Sequence, residues 1–281
     1  MAIQIYGYAG STCCGRVLLT LFEKNVDDYK ISHVDLYKRE HKSPEFLKHQ
    51  TENGPIVQHD GQRVSSRTTM RNPNGIGSTE FGSAFSWETS NSIEAPRVII
   101  LLEPTSLGPL TILKPFGETP YVIDGDLTLF ESRAIARTYA RKYADRGTAL
   151  YGSSPQEEAL VEQWLEVEAQ HYDSAISKIV YNLLFYPKFG LPCDHGVVAE
   201  QMAKFEAVLD VYEKRLSESK YLAGDFFSLA DLSHITYTYY FIEIAHRGAV
   251  FDSRPHVKAW IADLFARPTT QKWLKLGGHI P

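Results

Sequence analysis

Four short runs hold the residues whose types and spacing suit chemistry. Ser11 stands directly before an apolar helical run, and a hydroxyl at a helix N-terminus can donate to an anion within positive dipole potential. Glu131-Ser132 opens another helix, where free backbone N–H groups and the Ser132 hydroxyl suit a carboxylate and Glu131 suits an ammonium. His41-Lys42 pairs two cationic donors, and Glu118-Thr119-Pro120 places a Thr-Pro bond before a strand. Each run also has a plainer structural account: an N-cap, a helix start, a solvated charge run and an ordinary turn. Cys13 and Cys14 follow Ser11 but form no C-x-x-C pair, and the histidines show no metal-ligand spacing. Nothing resembles a P-loop, a G-x-S-x-G elbow or a G-x-G-x-x-G turn, so nucleotide and acyl-transfer chemistry have no support.

These runs need elements to hold them. Ile3 and Ile5 alternate with polar residues over 2–6, a strand. Val17, Leu18, Leu21 and Phe22 then recur at helical spacing. Residues 29–35 read as a second strand, and Ser43-Pro44-Glu45 opens a short helix. Tyr121-Val122-Ile123 is a strand that Asp124-Gly125-Asp126 turns back into Leu127 and Leu129, and a helix follows from Glu131 to about 143. Beyond 150 the pattern is helical throughout, over about 155–186, 197–218, 228–245, 255–265 and 268–275. Ser228-Leu229-Ala230-Asp231 is a capping box with Asp in place of Glu. The expected fold is an α/β domain over 1–145, of order βαβαββα, followed by an all-helical domain over 150–281.

One stretch breaks this order. Residues 51–114 are rich in Ser, Thr, Asn and Gly, hold no helical period, and have one strong apolar run, Val98-Ile99-Ile100-Leu101-Leu102. A structureless segment of that length inside a compact domain is rare. The expectation is a disordered or irregular insertion, or non-coding sequence such as a retained intron read through as protein.

Composition bounds the function. With 281 residues, 43% hydrophobic, the chain can bury two cores, and a net charge of -5 gives no global pull toward nucleic acid or anionic membrane. No apolar run is long enough to span a membrane, and no basic-then-apolar leader opens the chain. Three cysteines without framework spacing suit a reducing compartment, so a cytoplasmic location is expected.

In order, these runs resemble the glutathione S-transferase family, most like the phi class of plants. The likeness rests on Pro115 through Ile135, PFGETPYVIDGDLTLFESRAI, supported by Glu40-His41-Lys42-Ser43-Pro44-Glu45 and by the run Tyr221 to Asp231, YLAGDFFSLAD. It spans 1–50 and 115–276, and departs at 51–114, where the family runs straight on. The resemblance implies a thioredoxin-like domain that binds glutathione, a helical domain lining a pocket for small apolar electrophiles, and a homodimer. Glutathione is a co-substrate, with no permanent cofactor and no metal.

Carried onto this chain, the resemblance makes Ser11 the thiolate stabiliser. A free thiol near pKa ~8.5 is only about 3% thiolate at pH 7, and lowering it by about two units requires roughly 2.7 kcal/mol. One hydrogen bond to the anion contributes about 1.5–3 kcal/mol, and the helix dipole about 0.3–1 kcal/mol. Thr119, before a cis-Pro120, would pair with the cysteinyl backbone, with Glu118 beside it. Glu131 and Ser132 would take the γ-glutamyl end, with Arg133 either holding Glu131 or reaching the ligand. His41 and Lys42 would take the glycine carboxylate. Arg16 would add positive potential or form a structural ion pair. Thr12, Ile176, Val180 and Tyr237 are candidates for the electrophile pocket. The expected activity is conjugation, with organic hydroperoxide reduction at the same thiolate. The alternatives are a non-catalytic binder, an enzyme disabled by its insertion, and a thiol transferase using Cys13 or Cys14.

Overall fold

The computed structural model describes residues 2–35 and 118–277, which lie in one compact unit. His41, Lys42, the helix expected at Ser43-Pro44-Glu45 and the 51–114 segment lie outside the described residues.

The first layer is a four-stranded sheet, β1 (Ile3–Gly7), β2 (Tyr29–His33), β3 (Tyr121–Asp124) and β4 (Leu127–Leu129), in the order β2-β1-β3-β4. β1 and β2 run parallel, so a crossover must join them, and α1 (Thr12–Glu23) supplies it. β3 returns antiparallel beside β1 with Ile5 opposite Val122, and β4 pairs β3 with Val122 opposite Leu129. The tight turn between them needs Gly125, whose φ is +63°. Sequence spanning 36–117 therefore separates β2 from β3 without preventing the β1–β3 register.

α1 is the hub of the molecule. All its residues except Cys13 are buried, so the helix is covered on every side, with Arg16, Thr20 and Glu23 among its buried polar groups. α2 (Ser132–Lys142) packs on one side through Ile135, Ala136, Tyr139 and Ala140. The C-terminal helices cover another side closely enough that a Cβ at Gly15 would lie 2.8 Å from Thr236 Cγ2 and from Trp273 Nε1. At the far end of α1, buried Glu23 receives the Arg267 guanidinium through two 2.8 Å bonds and the hydroxyls of Thr148 and Thr269. Thr148, which follows α2, and Arg267 and Thr269 of the helical layer are thereby tied to the helix that begins at Ser11.

The second layer is helical: α3 (Pro155–Val167), α4 (Asp173–Val180), α5 (His195–Glu218), α6 (Leu229–Tyr239), α7 (Pro255–Ala266) and α8 (Pro268–Lys275). Its core is aromatic. Tyr172 meets Phe205 at 5.0 Å and His234 at 4.5 Å, and His234 meets Trp260 at 5.1 Å, each edge to face. His234 is neutral there: burial pushes its imidazole down to about 3, while Ala230 O accepts from one ring nitrogen and Tyr212 OH reaches the other.

The capping box is present as expected. The Ser228 N–H donates to Asp231, and Asp231 also receives Leu222 N and Trp260 Nε1, so one carboxylate joins three segments. The span read as one helix over 155–186 is interrupted twice, by π-turns at Glu168–Tyr172 and Tyr181–Phe185. A third π-turn, Tyr240–Ile244, continues α6. Each π-turn inserts a residue and rotates the downstream helix by ~100° relative to an uninterrupted one.

Candidate active site

The loop Tyr8–Ser11 leads from β1 into α1 and is fixed from behind. Trp273 Nε1 donates to Ala9 O at 3.0 Å, the Tyr240 hydroxyl bonds Gly10 O, and Ser11 N donates to Tyr8 O at 2.8 Å. Ser11 is the N-cap of α1 in extended backbone, its Oγ accepting from Cys14 N at 3.0 Å. The cap occupies an acceptor lone pair and leaves the hydroxyl proton free to donate. A half-buried hydroxyl at the positive end of a twelve-residue helix is thus set to meet an anion.

The Thr119–Pro120 bond is cis. Pro120 lies against β1: a Cβ at Gly7 would be 3.6 Å from Pro120 Cα and 3.3 Å from Cys14 Sγ. Gly7, before the long 36–117 interval, and Pro120, after it, therefore meet where β1 and β3 lie side by side in the middle of the sheet, beside the start of α1.

Ser132 begins α2 and is buried, and its Oγ accepts a 2.7 Å bond from Arg16 Nη1. Glu131 caps the helix by backbone alone. Its side chain makes no cap bond and is exposed, and its φ of 67° with ψ of 104° is a region L side chains rarely adopt. Arg133 does not hold Glu131. It forks onto Glu168 at 2.7 and 2.8 Å and lies 3.3 Å from Asp173, drawn inward because both acids lie behind the helix start. Of the two roles considered for Arg16, the structure shows the ion pair: it is fully buried, 3.4 Å from Glu168.

The candidate electrophile residues divide. Thr12 and Tyr237 each keep a small exposure, and their side chains share a hydrogen bond. Ile176 and Val180 have no exposed surface and pack in the core, which corrects the expectation that they line a pocket. Both belong to the apolar stripe of α4, which with Ala175 and Ile179 is turned to the core. The side chains that do present surface are Tyr181 and Tyr186, 42% and 37% exposed, with Phe185 between them and Tyr240 behind at 5.9 Å from Phe185. Tyr181 interacts electrostatically with Cys13 and Glu118, which places it by the start of α1. Aromatic content near 181–186 was the available signal. Asp173 and Glu168, also unassigned from sequence, carried none beyond an acidic residue on a helix.

The cysteines are unequal. Cys14 is fully buried, and burial, reinforced by Cys13, pushes its thiol up to about 12, so it cannot serve as a thiolate near neutrality. Cys13 is half-buried and influences Arg133, Tyr181 and Tyr237.

A thioredoxin-like sheet with a serine-capped α1, a cis-proline at the start of the central strand β3 and a helical second layer is the glutathione transferase fold. The comparisons agree. The glutathione S-transferase N-terminal domain family matches residues 10–142 and the C-terminal domain family matches 177–268. Glutathione S-transferase F13 of Arabidopsis thaliana is 36% identical over 97% of this chain and 94% of its own. The crystal structure of glutathione transferase F7 from Populus trichocarpa superimposes with a TM-score of 0.72 at 33% identity, covering 99% of this chain and 100% of its own. A glutathione S-transferase I structure bound with lactoylglutathione gives 0.68 at 33% identity, covering 98% and 100%. The chain belongs to the glutathione S-transferase family, within its plant phi class, and is a glutathione transferase.

Proposed function

We propose that this transferase activates glutathione at Ser11 and transfers the thiolate to small apolar electrophiles held beside Tyr181, Phe185 and Tyr186. The observation that carries this reading is the Ser11 cap. Its oxygen is fixed by Cys14 N while its proton remains available at the helix N-terminus. Glutathione lies along the backbone at the cis Thr119–Pro120 bond, with Glu118 beside it, and its γ-glutamyl end meets Ser132 and Glu131. Arg133 acts from behind, through Glu168, rather than on the ligand. His41 and Lys42 take the glycine carboxylate. The relative bound to lactoylglutathione supports a glutathione-derived ligand on this fold.

The chain works with residues 51–114 in place. In support, β1 and β3 keep their register, and Pro120 reaches Gly7 with that sequence present. Loop closure also costs little: each doubling of length adds about 0.6 kcal/mol. A cytoplasmic homodimer completes the proposal. Among the described residues no helix is long and apolar enough to cross a membrane, and Leu127 and Phe130 leave 43% and 52% of their surfaces exposed beside α2. Light scattering on the purified chain should give twice the mass of one chain.

The test is conjugation of glutathione to a generic aromatic electrophile by the full chain and by a form lacking 51–114. Comparable turnover by both is expected. Activity only after deletion would establish the disabled-enzyme alternative. Activity in neither would sink the proposal.

A further inference from the structure

Glu168 lies in the helical layer, at the start of the first π-turn, yet its carboxylate faces α1 and the beginning of α2. It is 1% exposed and receives two guanidinium groups, from Arg133 at 2.7 and 2.8 Å and from Arg16 at 3.4 Å. Arg16 is fully buried and passes the connection on, donating to Ser132 Oγ at 2.7 Å. The chain Glu168–Arg16–Ser132 thus runs from the second layer to the residue proposed to bind the γ-glutamyl carboxylate.

The direction of each bond matters. A serine hydroxyl has one proton and two acceptor sites. Arg16 is donor-only, so it fills an acceptor site on Ser132 and leaves the hydroxyl proton to point elsewhere, as a donor suited to a carboxylate. A charge-assisted donor also polarises that hydroxyl. The arrangement persists only while Arg16 is held. A fully buried guanidinium without its carboxylate is an uncompensated charge; Arg16 Nη2 also donates to Ser233 O at 3.5 Å, but that neutral carbonyl cannot balance it, so the guanidinium would draw in water or shift. Arg133 has a second acid in Asp173; among the described residues Arg16 pairs with Glu168 alone.

We infer that Glu168 is a positioning residue for glutathione, acting through Arg16 to hold the Ser132 hydroxyl as a donor to the γ-glutamyl carboxylate. The inference rests on the proposed role of Ser132 and deepens it. It explains why a buried ion cluster joins the two layers beside the site, where an apolar contact would serve packing alone.

A double-mutant cycle tests it on the full chain, with KM for glutathione, kcat and thermal midpoint read for each variant. Glu168→Gln preserves shape but turns an amide N–H₂ toward the guanidinium groups. It should raise KM about tenfold, the effect of losing one oriented hydrogen bond to a charged group, with kcat changed less than about twofold. Ser132→Ala should raise KM comparably. The double variant should be no worse than the poorer single one, because both changes remove the same hydrogen bond. Multiplying effects would overturn the inference, as would a Glu168→Gln that lowers the thermal midpoint while leaving KM untouched. An unaltered KM in Ser132→Ala would instead remove the reading of Ser132 on which the inference stands. Should Glu168→Gln not fold, Arg16→Lys replaces it in the cycle. That variant keeps the charge, but a single ammonium cannot reproduce the guanidinium's planar two-ended reach, and the same non-additivity is expected.

Discussion

Two serines begin two helices here, and their surroundings make them different instruments. Ser11 is the N-cap of α1, half-buried, and among the described residues its oxygen is committed to Cys14 N of its own helix alone. Ser132 is the first residue of α2, buried, and its oxygen is committed to Arg16 with an ion cluster behind it. Both keep a proton to give, and both sit where a helix dipole favours an anion. At Ser11 the anion is proposed to be created by binding, since the thiol must lose its proton there. At Ser132 the ligand carboxylate arrives already charged. Local capping stabilises an anion as it forms, whereas the buried cluster at Ser132 fixes direction for one that already exists.

The strongest challenge to this contrast is Ser11→Ala. It removes the one donor proposed to reach the thiolate, so kcat/KM for conjugation should fall about 10²-fold, consistent with roughly 2–3 kcal/mol for a hydrogen bond to a charged group. Glutathione affinity by calorimetry should change little, because the peptide ends bind elsewhere. The apparent pKa of bound thiol, followed by thiolate absorbance, should rise toward the free value. Near-normal turnover would transfer the role to another group, with Cys13 first in line.

Ser132→Ala should do the reverse at smaller scale, raising KM for glutathione about tenfold and leaving the thiol pKa where it was. A shifted thiol pKa in this variant would show that the two helix starts act as one electrostatic unit, and the contrast between them would dissolve.

Legibility in the sequence divides along the same line. Ser11 and the strand-turn-strand at 121–129 were legible because their signals are local: a cap before an apolar period, and a Gly turn between alternating residues. The Asp231 capping box was legible for the same reason. The ion cluster was not. Arg16 is separated from Ser132 by 116 residues and from Glu168 by 152, and only packing brings them together. Ile176 and Val180 could not be told in sequence from the core residues beside them, because an apolar stripe reads the same whether it faces a core or a pocket.

Glu131 adds a further difference, because α2 begins under a constraint that α1 lacks. Ser11 has φ of -69°, while Glu131 has φ of 67°. Backbone held in such a region costs on the order of 1 kcal/mol or more, which glycine would relieve. Glu131→Gly should therefore raise the thermal midpoint by about 2–4 °C while raising KM for glutathione, because the carboxylate proposed to meet the ammonium is gone. Stability and binding would move in opposite directions. A variant that gained stability with unchanged KM would leave Glu131 a purely conformational residue.

The smallest effect expected concerns the pair after Ser11, and it separates the serine mechanism from a cysteine one. Cys14 has no exposed surface, and its thiol is pushed up to about 12 by burial first and the neighbouring Cys13 second. The thiolate, not the thiol, reacts with alkylating agents. At pH 8 the folded protein should therefore take up iodoacetamide at Cys13 or Cys193 and leave Cys14 unmodified until denaturant is added, as peptide mass mapping would show. Alkylating Cys13 would add bulk near Tyr181 and Arg133 without removing the Ser11 hydroxyl. Under the serine mechanism a Cys13→Ala variant should keep its conjugating activity, because the thiolate depends on Ser11 and the α1 dipole. Loss of activity in that variant, with Ser11 intact, would move the chemistry two residues along the helix.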